Sequence, residues 1–138
     1  MPYETQLKVR FHEVDSYQVV WHGHYVSWFE VGRNEFAARF GLDPEQLKAI
    51  GLMAPVVDLV CKFKLPARYG DEIVIRTSMQ RCETAKLIFH YTVVRDKEVL
   101  AEGSTTHILT DLKGTMLYQI PAEAKQRLER MFASLGIG

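Results

Sequence analysis

The sequence has little of what would mark a secreted, membrane-spanning or nucleic-acid-binding chain. Its two cysteines, Cys61 and Cys82, have no CxxC spacing and no neighbouring Cys/His cluster. A disulfide framework is not expected, a zinc site has no support, and both thiols are expected to be reduced. The longest apolar stretches, such as PVVDLVC, fall far short of the roughly 20 residues that a membrane helix needs. The opening MPYETQLKVR has no hydrophobic leader core, so a cytoplasmic protein is the expectation. Lys plus Arg and Asp plus Glu both total 17, and the net charge is zero. That balance argues against holding nucleic acid by counterion release. Repeats, linkers and low-complexity tracts are lacking too.

What remains is the composition of one globular domain, taken as residues 1–138, with 47% hydrophobic and 25% charged residues. A chain of this length buries roughly 65–70% of its unfolded surface, enough for a core without a metal or disulfide staple. Tyr3, Leu7, Val9 and Phe11 alternate as in a half-buried strand. Tyr25, Phe29, Phe36 and Phe40 then recur at roughly helical spacing with Gly32 on the same stripe, and Gly41 closes the helix. Glu30 with Arg33, and Glu35 with Arg39, have the spacing of ion pairs on its outer face. Asp43-Pro44 reads as the N-cap and first position of a second, short helix ending at Gly51. The segments PVVDLVCKFKL, EIVIRTSMQR, AKLIFHYTVVR and EVLAEGSTTHILTD predict four strands parted by the turns ARYGD and RDKE. Pro121 opens a C-terminal helix carrying Ala124, Leu128, Met131 and Phe132 on one side.

One long helix between a first strand and a later antiparallel series predicts an α+β layer in which a sheet wraps on that helix. Pattern alone leaves hotdog, cystatin-like and other helix-on-sheet folds open. The loop before the helix discriminates between them. It contains Val9-Arg10-Phe11, Glu13-x-Asp15, Val19-Val20 and Trp21-His22-Gly23, followed by Tyr25, Trp28-Phe29-Glu30, Arg33 and Phe36. This segment resembles the signature of the 4-hydroxybenzoyl-CoA thioesterase and YbgC-type hotdog families, and PARYGDEIVI resembles the turn between their next strands. The resemblance implies a hotdog fold: an antiparallel sheet wrapped around one long central helix.

It also implies hydrolysis of acyl-CoA thioesters without a cofactor. A thioester expels a thiolate whose thiol pKa is near ~8.5, so little acid help is needed. The demanding parts are a base or nucleophile beside the carbonyl carbon and preorganised donors aimed at the oxyanion. The resemblance gives the first role to Asp15 and the second to the His22 backbone N–H, with Gly23 as a further donor or as space for close approach. Asp15 read in isolation is a turn residue. Glu13 reads as a solvated or hydrogen-bonding neighbour, because a second catalytic carboxylate beside Asp15 would be repelled. His24 stands where relatives carry small or amide residues, and it lines the acyl pocket or lies on the surface. Tyr25 is a substrate contact or core, as are Trp28 and Phe29.

Arg81 and Lys86, flanking the turn MQRCETAKL, match the region of basic CoA contacts in relatives, although solvated turn charges fit them as well. Lys62, Lys64 and Arg68 are lesser candidates, and His107 reads as an ordinary strand histidine. The resemblance further implies a homodimer with its sites at the subunit boundary, paired into a homotetramer. An acyl-carrier-protein thioesterase, a hydratase and a non-catalytic acyl-CoA binding module are the competing functions.

Overall fold

A computed structural model describes residues 1–138. In chain order the elements are β1 (Tyr3–Lys8), a 3-10 turn at Phe11–Glu13, α1 (His24–Ala38), α2 (Pro44–Ala49), β2 (Leu52–Met53), β3 (Val56–Phe63), β4 (Glu72–Gln80), β5 (Lys86–Arg95), β6 (Glu98–Ile108), β7 (Thr110–Asp111) and α3 (Ala122–Ser134). Five strands form one antiparallel sheet in the order β1-β4-β5-β6-β3, and β2 pairs with β7 in a separate ribbon. No helix is long and apolar enough to cross a membrane.

Alternation builds the sheet's inner face. Ile73, Ile75, Thr77 and Met79 of β4, and Leu87, Phe89, Tyr91 and Val93 of β5, are all buried. Against them α1 lays Tyr25, Trp28, Phe29, Phe36 and Ala37, a stripe whose larger members each contribute about 1.5–3 kcal/mol of burial as an upper estimate. Close approach depends on two glycines. A Cβ on Gly32 would sit 2.8 Å from Thr77 Oγ1, and one on Gly103 would sit 2.5 Å from both the Phe29 ring and the Val60 carbonyl oxygen. Gly41, at φ +75°, ends the helical run as expected. Asp43 caps α2 by accepting from the Gln46 N–H at 2.8 Å, while Gln46 Oε1 accepts from the Asp43 N–H at 3.0 Å.

Two local expectations fail. Phe11 does not extend the first strand: β1 stops at Lys8, the chain turns through the 3-10 segment, and Phe11 is 75% exposed with its ring edge-on to Tyr69. Glu35 does not pair with Arg39, because β1 runs beside that helix face. The Glu35 carboxylate accepts from Tyr3 Oη at 2.8 Å and Thr5 Oγ1 at 3.3 Å, and the Arg39 guanidinium lies 5.6 Å over the Tyr3 ring. Glu30 and Arg33 do meet, at 3.5 Å.

Between helix and sheet runs a chain of polar contacts with one direction. His107, 3% exposed, has Nδ1 at 2.9 Å from the Ala54 carbonyl and Nε2 at 2.9 Å from Thr105 Oγ1. A carbonyl only accepts, so Nδ1 donates, and in the neutral ring Nε2 accepts from Thr105. Thr105 then accepts from Tyr91 Oη at 2.6 Å, and Tyr91 accepts from Arg33 Nη1 at 3.2 Å. Burial, aided by the Arg33 charge, pushes the His107 pKa down to about 4. The native state therefore binds fewer protons here than the unfolded chain between about pH 4 and 6.5, and stability falls as pH drops through that window, by about 3 kcal/mol in all. Urea unfolding of His107→Gln beside the native protein is expected to show a flatter decline between those limits. Parallel declines would mean that His107 does not titrate as described.

Candidate active site

The segment from Val9 to Gly23 forms a narrow two-armed loop. Val14 bridges Val20, and the Asp15 N–H donates to Val19 O at 2.9 Å. The turn closes where the Gln18 N–H donates to Asp15 O at 3.0 Å, with Gln18 at φ +68°. The half-buried Asp15 uses Oδ1 to accept from the Tyr17 N–H at 2.8 Å, whereas Oδ2 has no protein partner. The turn role and a chemical role are thus compatible, since one oxygen fixes the carboxylate and the other stays available.

Glu13 holds the base of this loop. It is 1% exposed and accepts from Trp28 Nε1 at 2.8 Å and from the Arg10 N–H at 2.8 Å, while its own carbonyl receives the Trp21 N–H at 2.9 Å. Burial alone would raise its pKa, but the bonds from Arg10 and Trp28 outweigh it and keep the carboxyl ionised below its ordinary value. Through its side chain and its carbonyl, this one residue ties both arms of the loop to α1.

The other arm delivers the helix start. Gly23 is the N-cap, at φ −65° and ψ −23°, and the His24 N–H turns back to Trp21 O at 3.0 Å. The N–H groups of His22 and Gly23 donate to no protein acceptor. These are unsatisfied donors at the positive end of a 15-residue helix, the arrangement that suits developing negative charge. A side chain at position 23 would collide with the Trp21 ring, so glycine is what lets the indole cover this turn.

Rings line the turn: Trp21 lies 5.0 Å from His22 and 5.5 Å from His24, and Phe63 of β3 lies 6.3 Å from His22 and 5.1 Å from Tyr25. Tyr25 is 2% exposed and its hydroxyl accepts from the Ala67 N–H at 3.2 Å. Its ring packs in the core beneath the turn, between Trp28 and Phe63.

The structure thus gathers Asp15, His22, Gly23, His24 and Tyr25, and leaves Arg81 and Lys86 elsewhere. Register places Lys8 opposite Glu72 and Tyr3 opposite Thr77, so the Asp15 loop leaves the sheet at the Glu72 end, whereas Arg81 leaves it beyond Gln80. The nine residues of β4 span about 30 Å at ~3.3 Å each. Arg81 is engaged there: Nη1 and Nη2 donate to Glu129 at 2.9 and 2.6 Å, Nε donates to Gly138 O at 3.0 Å, and the guanidinium lies 4.5 Å over the Phe132 ring. It pins α3 and the chain end to the sheet. Lys86 is exposed and makes no ion pair. Arg68, a lesser candidate, lies next to Ala67, whose carbonyl accepts from the Val20 N–H at 2.8 Å, so it neighbours the Asp15 loop directly.

Sequence reasoning missed a cavity of about 290 Å³. It lies at the far end of the sheet from Asp15, between α1, α2 and α3 and the end of β6, and its walls include Arg33, Asn34, Leu47, Met53, His107 and Met131. A signal was available, because His107 shares strand parity with the buried Thr105 and Leu109 and so had to face inward.

Residues 9–128 match the Thioesterase-like superfamily. The fold superposes on the hypothetical protein TT1821 of Thermus thermophilus with a TM-score of 0.85 at 34% identity, covering 94% of this chain and 98% of that one. The long-chain acyl-CoA thioesterase FadM of Escherichia coli is 25% identical over 134 residues, 93% of this chain and 98% of FadM. The chloroplastic acyl-acyl carrier protein thioesterase ATL3 of Arabidopsis thaliana is 26% identical over 113 residues, 80% of this chain and 60% of ATL3. With its antiparallel sheet wrapped on α1 in the hotdog manner, the chain belongs to the thioesterase-like superfamily.

Proposed function

We propose that this protein hydrolyses acyl-CoA thioesters to the free acid and CoA, with Asp15 as base or nucleophile and the His22 and Gly23 N–H groups receiving the carbonyl oxygen. The observation that carries this reading is the pairing of an unpartnered Asp15 Oδ2 with two undonated backbone N–H groups on the two arms of one clamped loop. As base, Asp15 takes a proton from water, hydroxide adds to the carbonyl carbon, and the tetrahedral oxyanion collapses with loss of CoA thiolate. As nucleophile, Asp15 forms an acyl-aspartyl anhydride that water then opens. In both cases the oxyanion develops against fixed amides that need no reorganisation.

The site is completed by a second copy. β3 is the sheet's edge strand, and its Val56, Val57, Leu59, Val60 and Phe63 are each at least 41% exposed. An apolar open edge of this length invites pairing. Antiparallel pairing of two β3 edges about a two-fold axis brings Phe63 of one copy, with the His22 turn it touches, beside Val56 of the other, which directly follows the cavity wall at Ala54 and Pro55. The acyl group then runs from the Asp15 loop of one copy into the cavity of the other, and Lys86 of that second copy comes to the same side as the CoA phosphates. The match to ATL3 favours a carrier-protein donor as the second reading.

Asp15→Asn keeps shape and removes basicity, and it is expected to lower CoA release from an acyl-CoA panel by about 10²–10⁴-fold with the fold intact. Unchanged turnover would remove Asp15 from the chemistry, and parallel acyl-carrier assays choose between the donors. Leu59→Arg is expected to shift sedimentation to the monomer and to cost turnover about tenfold or more while circular dichroism is kept. A fully active monomer would overturn the shared site, and the same run reads whether native dimers pair into tetramers.

A further inference from the structure

The cavity at the far end of the sheet is mostly apolar, with Leu42, Leu47, Met53, Leu87, Phe89 and Met131 among its walls. One side is different. Arg33 has only 11% of its side chain exposed, and its five N–H donors meet just two protein groups, Tyr91 Oη at 3.2 Å and Glu30 at 3.5 Å. Asn34, beside it on the same wall, has a side-chain amide with no protein hydrogen bond. Of the other two polar lining residues, Lys48 is exposed on α2 at the solvent side, and His107 is fully occupied by Thr105 and Ala54 and offers nothing. A mostly apolar chamber therefore contains spare donors from one largely buried guanidinium, which the Tyr91–Thr105–His107 chain holds from behind, and from one unpartnered amide.

An occupant that displaced water from these donors without meeting them would be bound at a cost, so a purely aliphatic one fits poorly there. At the ~30 Å³ that a water molecule takes in the liquid, the cavity has room for on the order of ten non-hydrogen atoms. Resting on the acyl-CoA reading above, we infer that this cavity selects acyl groups of about that size whose distal end carries an oxygen acceptor, a hydroxyl or a carboxylate, bound by Arg33 and Asn34. Arg33 and Asn34 are then specificity-determining residues, and the apolar walls set the length between thioester and acceptor.

The test uses non-hydrolysable CoA thioethers, so that it reads the cavity whether or not the protein proves to be a hydrolase. Affinities of S-octyl-CoA, S-(ω-hydroxyoctyl)-CoA and the ω-carboxyl counterpart are measured by calorimetry on the native protein, Asn34→Leu and Arg33→Lys. The native protein is expected to bind one or both oxygenated thioethers about tenfold or more tighter than the plain octyl compound. Which of the two wins names the acceptor. Asn34→Leu, at a side chain that bonds nothing in the fold, is expected to lose most of that preference by gaining affinity for the octyl compound. Equal or reversed native preference overturns the inference, and so does a preference that Asn34→Leu leaves unchanged. Hydrolysis of the matching thioesters is followed separately: its absence, with the binding preference intact, would sink the hydrolase reading alone.

Discussion

Phe29 stacks on Tyr91 with ring centroids 4.5 Å apart, and it reaches that position only because residue 103, on the neighbouring strand, has no side chain. Gly32 does the same one turn further along the helix. These two absences set the height of α1 above the sheet, and the rest follows from that height. At this separation Tyr91 Oη comes within reach of Arg33 and Thr105, Trp28 can hand its indole N–H down to Glu13, and Tyr25 can take the Ala67 N–H. A helix held further out would keep its apolar stripe roughly covered but would lose each of these bonds, which tolerate only a few tenths of an ångström.

Glu13 extends that constraint to the loop. A buried carboxylate is costly unless its lone pairs are met, and here Arg10 and Trp28 meet them. The compensation ties the loop between β1 and α1 to the helix. Asp15 is two residues from Glu13, and Trp21 bonds the Glu13 carbonyl, so the carboxylate and the helix-start amides are referred to one fixed point. Hydrolysis by oriented groups needs this, since misplacement by about 1 Å can cost on the order of 10²-fold in rate.

Legibility in the sequence followed range. The strands, α1, α2 and α3 were readable because alternation, helical spacing and caps such as Asp43-Pro44 are local. The loop was readable because its residues lie within one continuous run. Glu13 reads as a solvated or hydrogen-bonding neighbour, and its partner has no name until Trp28, fifteen positions on, is known to reach it. Arg81 reads as a free cation because Glu129 lies 48 positions away. The Arg33–Tyr91–Thr105–His107 chain depends on the β5–β6 register, which places Phe89 opposite Thr105 and Tyr91 opposite Gly103. Phe11 failed for the opposite reason: its parity was right for a strand, but the sheet partner ended at Glu72 and left nothing to pair with.

The division of labour along the sheet explains why the open edge is tolerated. Within one chain the Asp15 loop and the apolar cavity lined by His107 and Met131 lie at opposite ends of strands about 30 Å long, too far apart for a single small acyl group to use both. On the proposed assignment, a monomer would hold the Asp15 carboxylate with no acyl pocket beside it and a pocket with no reacting group. On the reading proposed here, two-fold pairing through β3 repairs both deficits at once, because antiparallel pairing necessarily sets the loop end of one chain against the chamber end of the other. The exposed valines, Leu59 and Phe63 of β3 are then covered by the same contact that assembles the site. Activity and association become one property of the edge strand, and a substitution there acts on catalysis without touching a reacting atom.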